Sequence, residues 1–207
     1  AGLLLRFYDA SQGRILLEGQ DFTSFTPEAL RKRIALVPQS VSLFSGTIAE
    51  NLRIAAPQAT NEQLLAALEA VRLKEWLLAQ PHGLLTAVGD AGSKLSGGQR
   101  QKIGIARALL CQAEYIVFDE ATSSVDIDSE REIWHCIDEL ALTRTLIIIS
   151  HRLSTIQNAG QIYVLSNGRI AEQGNHAQLM AQNGLYRRLV EEQALLEKQG
   201  EEEARHG

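Results

Sequence analysis

Tyr115-Ile116-Val117-Phe118-Asp119-Glu120 is an apolar run that ends in two carboxylates. A strand buried on both faces of a parallel sheet delivers its last residues to the carboxyl edge, where ligands bind. Asp119 at such an edge could hold Mg2+, mostly through water, because Mg2+ takes one or two carboxylates and keeps its waters. Glu120 would then face a γ-phosphate and orient an attacking water. By itself the pattern fits equally well a strand that ends in two solvated acids.

Three further groups could take part in the same chemistry. Ser96-Gly97-Gly98-Gln99 precedes a helical stretch over residues 100–110. Glycines before a helix let backbone N–H groups approach an anion, and the helix dipole favours negative charge there. A plain turn uses the same residues. Ser150-His151-Arg152 follows the apolar run 146–149. A histidine at a strand's carboxyl end can donate to a phosphate oxygen, or it can be structural. Gln39 follows the apolar run 34–37, and its neutral amide suits a position that coordinates a metal or a water without fixing charge. His82, His135, His176 and His206 lack the spacing of a metal site and are expected at the surface.

The elements that must position these residues alternate between strand and helix. Residues 14–17 and 34–37 read as short strands, separated by a helix that opens at Thr26-Pro27-Glu28 and ends near Arg33. Residues 1–8 read as the middle or end of a helix. Strand signals fade from 40 to 96. There Thr60-Asn61-Glu62-Gln63 forms a capping box before Leu64, Leu65, Leu68 and Val71 at helical spacing, and a second helical piece covers 74–78. Strands return at 115–118 and 146–149, both expected to be buried on two faces. The helix between them, about 129–140, carries Ile133, Trp134, Ile137 and Leu140 on one side. Asn167-Gly168 predicts a type I′ hairpin between 162–165 and 169–172. Helices follow near 176–182 and 185–199, and the end of the chain beyond 200 is expected to be mobile.

Composition narrows the classes. Of 207 residues, 45% are hydrophobic and 22% charged, which excludes a disordered, collagen-like or disulfide-scaffold chain. No run of about 18 or more apolar residues occurs, and no basic leader with an apolar core opens the chain. Cys111 and Cys136 are expected as reduced, buried thiols of a cytosolic protein. The net charge of −5 is concentrated at the end: residues 191–207 hold six Glu against Lys198 and Arg205, and the rest is nearly neutral. No bulk field draws the chain to nucleic acid.

In combination, the Gln, the Ser-Gly-Gly helix start, the strand with Asp-Glu and the strand with His resemble, in order, the nucleotide-binding domain of ATP-binding-cassette (ABC) transporters. The resemblance covers about residues 1–190. Its most specific part is LSGGQRQKIGIARAL, beginning at Leu95. It implies an α/β fold: a P-loop NTPase (RecA-like) core with a parallel sheet and an inserted all-helical signature subdomain. It implies Gln39 as the Q-loop glutamine near Mg2+ and the attacking water. Ser96, Gly97, Gly98 and Gln99 would be the signature that meets ATP held by a partner domain. Asp119 would be the Walker B aspartate, Glu120 the catalytic glutamate and His151 the switch histidine. Ser123-Ser124-Val125-Asp126 resembles the D-loop, with Ser124 and Val125 as departures from the more usual Ser-Ala-Leu-Asp and Asp126 retained as nucleotide-facing.

The segments at 43–52 and 150–156 resemble exporter-type members, in which membrane and nucleotide-binding parts share one polypeptide. Val88-Gly89-Asp90-Ala91-Gly92 matches a segment that meets the membrane domain's coupling helices, commonly Val-Gly-Glu-Arg-Gly in exporters. The implied boundaries are 1–40 for the core up to the Q-loop, 41–96 for the helical subdomain, 97–190 for the signature helix and the remaining core, and 191–207 for an acidic tail. The implied partners are a second nucleotide-binding domain, identical or different, and a transmembrane domain, with ATP and Mg2+ bound at the cytoplasmic face of a membrane and no nucleic acid. The family's phosphate loop, ending in Gly-Lys-Ser/Thr, occurs nowhere in the chain. The expectation is a domain whose first strands and phosphate loop precede Ala1, inactive and poorly soluble as it stands. Two rival readings are a soluble ABC ATPase of DNA repair or translation and a non-catalytic dimerisation module.

Overall fold

The structure, a computed structural model, describes residues 1–123 and 125–206, and the side chains of all of these except 154 and 197–206. Contacts divide the chain into two units, Ala1–Ile149 and Ser150–Gly207.

The first unit opens with hydrogen-bonded turns over residues 1–7, not with the expected helix. Arg6 adopts a left-handed φ of 52°, which a right-handed helix cannot continue through. A two-residue ladder follows, β1 (Leu16–Leu17) antiparallel to β2 (Gln20–Asp21), shorter than the expected strand at 14–17. Helix α1 (Pro27–Arg33) begins where the sequence places it, with Thr26 accepting from the Ala29 N–H and proline in the first turn.

The sheet that carries the acidic pair has three parallel strands. β3 (Ile34–Val37) pairs with β4 (Tyr115–Asp119), and β4 pairs with β5 (Thr145–Ile149). Between β3 and β4 the chain builds α2 (Ile48–Arg53), α3 (Asn61–Ala70), α4 (Lys74–Leu78) and the long α5 (Gly97–Leu110). The Thr60–Gln63 capping box closes as expected, and a second one, Thr47–Glu50, starts α2. Helix α6 (Ile127–Ala141) crosses from β4 to β5 and completes the βαβ unit. It starts earlier than expected because Asp126 is its N-cap.

One apolar core runs from Ala35 and Val37 of β3 through Leu52, Leu64, Leu68 and Ile103 to Phe118 and Ile133. The inserted helices and one face of the sheet therefore share an interior, while Ile34 and Val117 of the other face pack with Leu5, Leu17, Phe22 and Leu30. Each fully buried side chain of this kind contributes about 1.5–3 kcal/mol relative to exposure. In the centre of the sheet, Ile116, Val117 and Phe118 of β4 are all buried, as a two-faced strand requires. β5 departs from that expectation. Leu146, Ile147 and Ile148 are half-buried and Ile149 is exposed. β5 ends the strand order and has β4 as its one neighbour among the described strands.

The second unit is a hairpin with two helices. β6 (Ile162–Ser166) and β7 (Arg169–Gly174) pair antiparallel, and Asn167 (φ 50°) and Gly168 (φ 72°) make the expected primed turn. α7 (His176–Ala181) and α8 (Leu185–His206) follow, α8 running past the expected end at Gln199. Ile162, Val164, Leu179 and Tyr186 form its core. The Glu172 carboxylate accepts the Leu185 and Tyr186 N–H groups and caps α8. His176 is half-buried, not a plain surface residue: its Nδ1 lies 2.9 Å from the Tyr186 hydroxyl, with the two rings edge to face. Gly207 lies outside the described residues.

Candidate functional site

The carboxyl ends of β3 and β4 meet through a chain of hydrogen bonds. Gln101 of α5, 3% exposed, donates Nε2 to the Pro38 carbonyl at 3.0 Å and so holds the exit from β3. Gln39 follows and is exposed. Its Nε2 donates to Ser123 Oγ at 2.9 Å, across 84 residues of sequence. Ser123 Oγ in turn donates to the Glu120 carbonyl at 3.0 Å, and the Ser123 N–H reaches the same oxygen at 3.1 Å. Two of the sequence-designated residues, Gln39 and Glu120, are thereby brought together. Ser123, a D-loop residue given no site role from sequence, is the bridge. Ser124, its neighbour, lies outside the described residues.

Glu120 occupies the left-handed region at φ 51°. For a non-glycine residue this costs about 1–3 kcal/mol and persists only where the surroundings fix it. Here the Glu120 N–H donates to the Ile149 carbonyl at 2.9 Å, carrying the β4–β5 pairing one residue past the strand. Asp119, half-buried, is the last residue of β4 and pairs in register with Ile149.

The donor set at this edge suits a hard cation. With Nε2 of Gln39 committed to Ser123, Oε1 is the atom of that amide free to accept or to meet a metal, an oxygen of the kind a hard cation takes together with carboxylates. Among the described residues, no group of three or more His, Cys, Asp or Glu side chains could hold a metal. A cation here would therefore keep waters or share oxygens with a bound phosphate.

The start of α5 is built differently. Ser96 Oγ accepts the Gln99 N–H at 3.1 Å, and Gln99 Oε1 accepts the Ser96 N–H at 2.9 Å, a reciprocal capping box. Gly98 is buried against α6: a Cβ there would collide with the Ser129 side chain. That approach sets the first turn of α5 against the first turn of α6, whose cap is Asp126. The Asp126 carboxylate accepts the Ser129 N–H at 2.9 Å, and this bond holds its pKa below the usual carboxylate range. Ser96, Gly97, Gly98, Gln99 and Asp126 thus gather around two adjoining helix N-termini, where partial positive charge accumulates.

His151 belongs to the second unit, exposed, two residues past β5 in chain order. Both cysteines are free. Cys136 is buried and Cys111 half-buried, and burial pushes both thiols up. Sequence reading also missed Arg107 and Asn51. Asn51, 1% exposed, ties the 44–47 loop through Phe44 and Thr47, while Arg107 of α5 donates to Asn51 and to the Ser42 carbonyl. In the same region Ser45 donates to Asp90 at 2.8 Å, joining the 43–52 segment to the 88–92 segment.

A parallel sheet with an inserted helical region, a Ser-Gly-Gly helix start and an Asp-Glu strand end define a nucleotide-binding class of α/β protein. The family described as ABC transporter matches residues 1–123, and the chain belongs to that family. It is 44% identical over 91% of its length to "ATP-dependent lipid A-core flippase 1" of Colwellia psychrerythraea, covering 31% of that protein. It is 46% identical over 96% of its length to "ABC transporter B family member 4" of Dictyostelium discoideum, covering 26% of it. A solved structure, "Structure of a bacterial Atm1-family ABC exporter with ATP bound", superposes with a TM-score of 0.87 at 40% identity, over 93% of this chain and 34% of that one. The fold is that of the P-loop ATPase of this family. The chain spans about a third of the length of the curated relatives it matches.

Proposed function

We propose that this chain is the ATP-binding and ATP-hydrolysing part of an ABC exporter, coupling hydrolysis to transport across a membrane. The observation that supports it most is the meeting of Gln39 with Glu120 at the carboxyl edge of the parallel sheet, bridged by Ser123. The relatives carry flippase and exporter names, which favours this reading over a soluble ATPase or a non-catalytic module.

In this reading Glu120 orients the water that attacks the γ-phosphate and takes up its proton as the attack proceeds. Asp119 and Gln39 would hold Mg2+ through water, and the ion would supply positive charge against the phosphates. His151 donates to the γ-phosphate. Ser96, Gly97, Gly98 and Gln99, with Asp126, meet ATP held by a second nucleotide-binding domain, identical or different. A preorganised helix N-terminus stabilises the transferring charge without reorganising during the reaction. Residues 1–40 and 97–190 serve as the core, 41–96 as the helical subdomain and 191–207 as an acidic tail. The 88–92 segment meets a transmembrane domain at the cytoplasmic face. Among the described residues no helix is long and apolar enough to cross a membrane.

The chain has no Gly-Lys-Ser/Thr phosphate loop. The 207-residue chain alone is expected to bind Mg-ATP weakly and turn over none. Tight binding of Mg-ATP to it in calorimetry refutes that part. The central test is Glu120→Gln in the full-length transporter that carries this chain. ATP should be retained with little turnover; near-normal hydrolysis removes Glu120 from the catalytic role.

A further inference from the structure

We propose that Ser123 is a positioning residue for the hydrolysis assigned to Glu120, its hydroxyl transmitting the placement of Gln39 to the Glu120 carbonyl. The proposal rests on that assignment and extends it to a residue outside the reacting set.

A serine hydroxyl has one proton and two lone pairs. Ser123 spends its proton on the Glu120 carbonyl and offers a lone pair to the Gln39 amide. The two bonds run in one direction, so each polarises and strengthens the other. At the far end, Gln101 is buried and fixed on the Pro38 carbonyl, so the residue before Gln39 has a rigid anchor in α5. The relay therefore joins the body of α5, the exit of β3 and the turn after β4.

Glu120 needs such support. Its left-handed backbone is costly for a residue with a Cβ, and the orientation of its two flanking peptide planes sets the direction of the Cα–Cβ bond. The Ile149 carbonyl fixes one plane through the Glu120 N–H. The Ser123 N–H and hydroxyl fix the other through the Glu120 carbonyl. Removing the hydroxyl leaves the second plane with its backbone bond but uncouples it from Gln39. A shift of that plane by a fraction of an ångström displaces the carboxylate that must meet the water, and catalysis is sensitive to misplacement of that size.

The test compares Ser123→Ala, Ser123→Thr and Glu120→Gln in the full-length transporter, reading kcat and KM for ATP together with thermal unfolding. Ser123→Ala is expected to lower kcat about tenfold, the scale of one lost hydrogen bond in the transition state, with KM within about twofold. Ser123→Thr keeps the hydroxyl and is expected to restore kcat to within about threefold. If Ser123→Ala fails to fold, Ser123→Cys carries the test, because the thiol fills the space and donates weakly: kcat should fall with the unfolding temperature unchanged. Unchanged kcat in Ser123→Ala, or a rise in KM alone, overturns the proposal. So does a further loss when Ser123→Ala is added to Glu120→Gln, since a residue acting through Glu120 has nothing left to act on. If Glu120→Gln itself turns over normally, the assignment of Glu120 falls. If Glu120→Gln is inactive and Ser123→Ala is normal, only the role of Ser123 falls.

Discussion

The turn after β4 and the first turn of α5 both present groups suited to a phosphate, but they are built by opposite means. The start of α5 is made almost entirely from its own residues: Ser96 and Gln99 satisfy each other's backbone across three positions. The turn after β4 holds a left-handed Glu120 in place with bonds to Ile149 and Ser123, and Ser123 in turn is held by Gln39. One site is local and relaxed. The other is strained and depends on chain segments far apart in sequence. Local capping suffices to aim N–H groups, whereas a side chain with the role proposed for Glu120 needs its backbone fixed from several directions.

Substitutions should separate the two kinds of construction. The largest effect is expected at the strained turn. Glu120→Gln in the full-length transporter should lower turnover by about 10²-fold or more while its melting curve stays near wild type, since the change keeps the side chain's size and removes only the proposed base. A marked loss of stability instead would make Glu120 a structural residue and erase the contrast. Next comes the contact that joins the two helix starts. Gly98→Ala forces a methyl against Ser129 and should cost about 1–3 kcal/mol, read as a lower urea midpoint of the 207-residue chain. An unchanged midpoint means that α5 and α6 can part without penalty.

Ser96→Ala removes only the local cap and should cost about 1 kcal/mol in thermal unfolding. A much larger loss would show that the cap is tied into the long-range network after all. The smallest effect is in the acid limb of stability. Asp126 and Glu50 are both held below the usual carboxylate range by backbone N–H groups of Ser129 and Thr47. Their contribution is therefore complete above the ordinary value near about pH 4 and is lost as pH falls through the lower folded values. Asp126→Asn keeps a capping oxygen and loses the titration, so its stability should fall less steeply below about pH 4 than that of the wild type. Parallel acid limbs would remove the Asp126 contribution.

What could be read beforehand follows the same division. The Thr60–Gln63 box, the proline start of α1, the Asn167-Gly168 turn and the apolar run of β4 depend on neighbours within a few residues, and each formed as expected. The ends of elements drifted where a cap or a backbone angle intervened: Asp126 brought α6 forward, and Arg6 at positive φ ended the opening turns. Ser123, Gln101 and the Arg107–Asn51 pair escaped notice because their partners lie 84, 63 and 56 residues away. A serine, a glutamine or an arginine has no spacing rule that announces such a bond. β5 escaped for another reason. Its apolar run is as continuous as that of β4, and only its place at the end of the strand order leaves it half-buried.

The sequence by itself determined the kinds of element, their order, the Asp-Glu strand end, the Ser-Gly-Gly helix start and the family they belong to, because each is written in adjacent residues or in a short period. Tertiary structure alone decided that Gln39 reaches Glu120 through Ser123, that Gly98 must be small and that Glu120 can be held in a left-handed conformation. Those facts depend on which distant segments pack together, and packing is set by the whole buried core and not by any one stretch of chain.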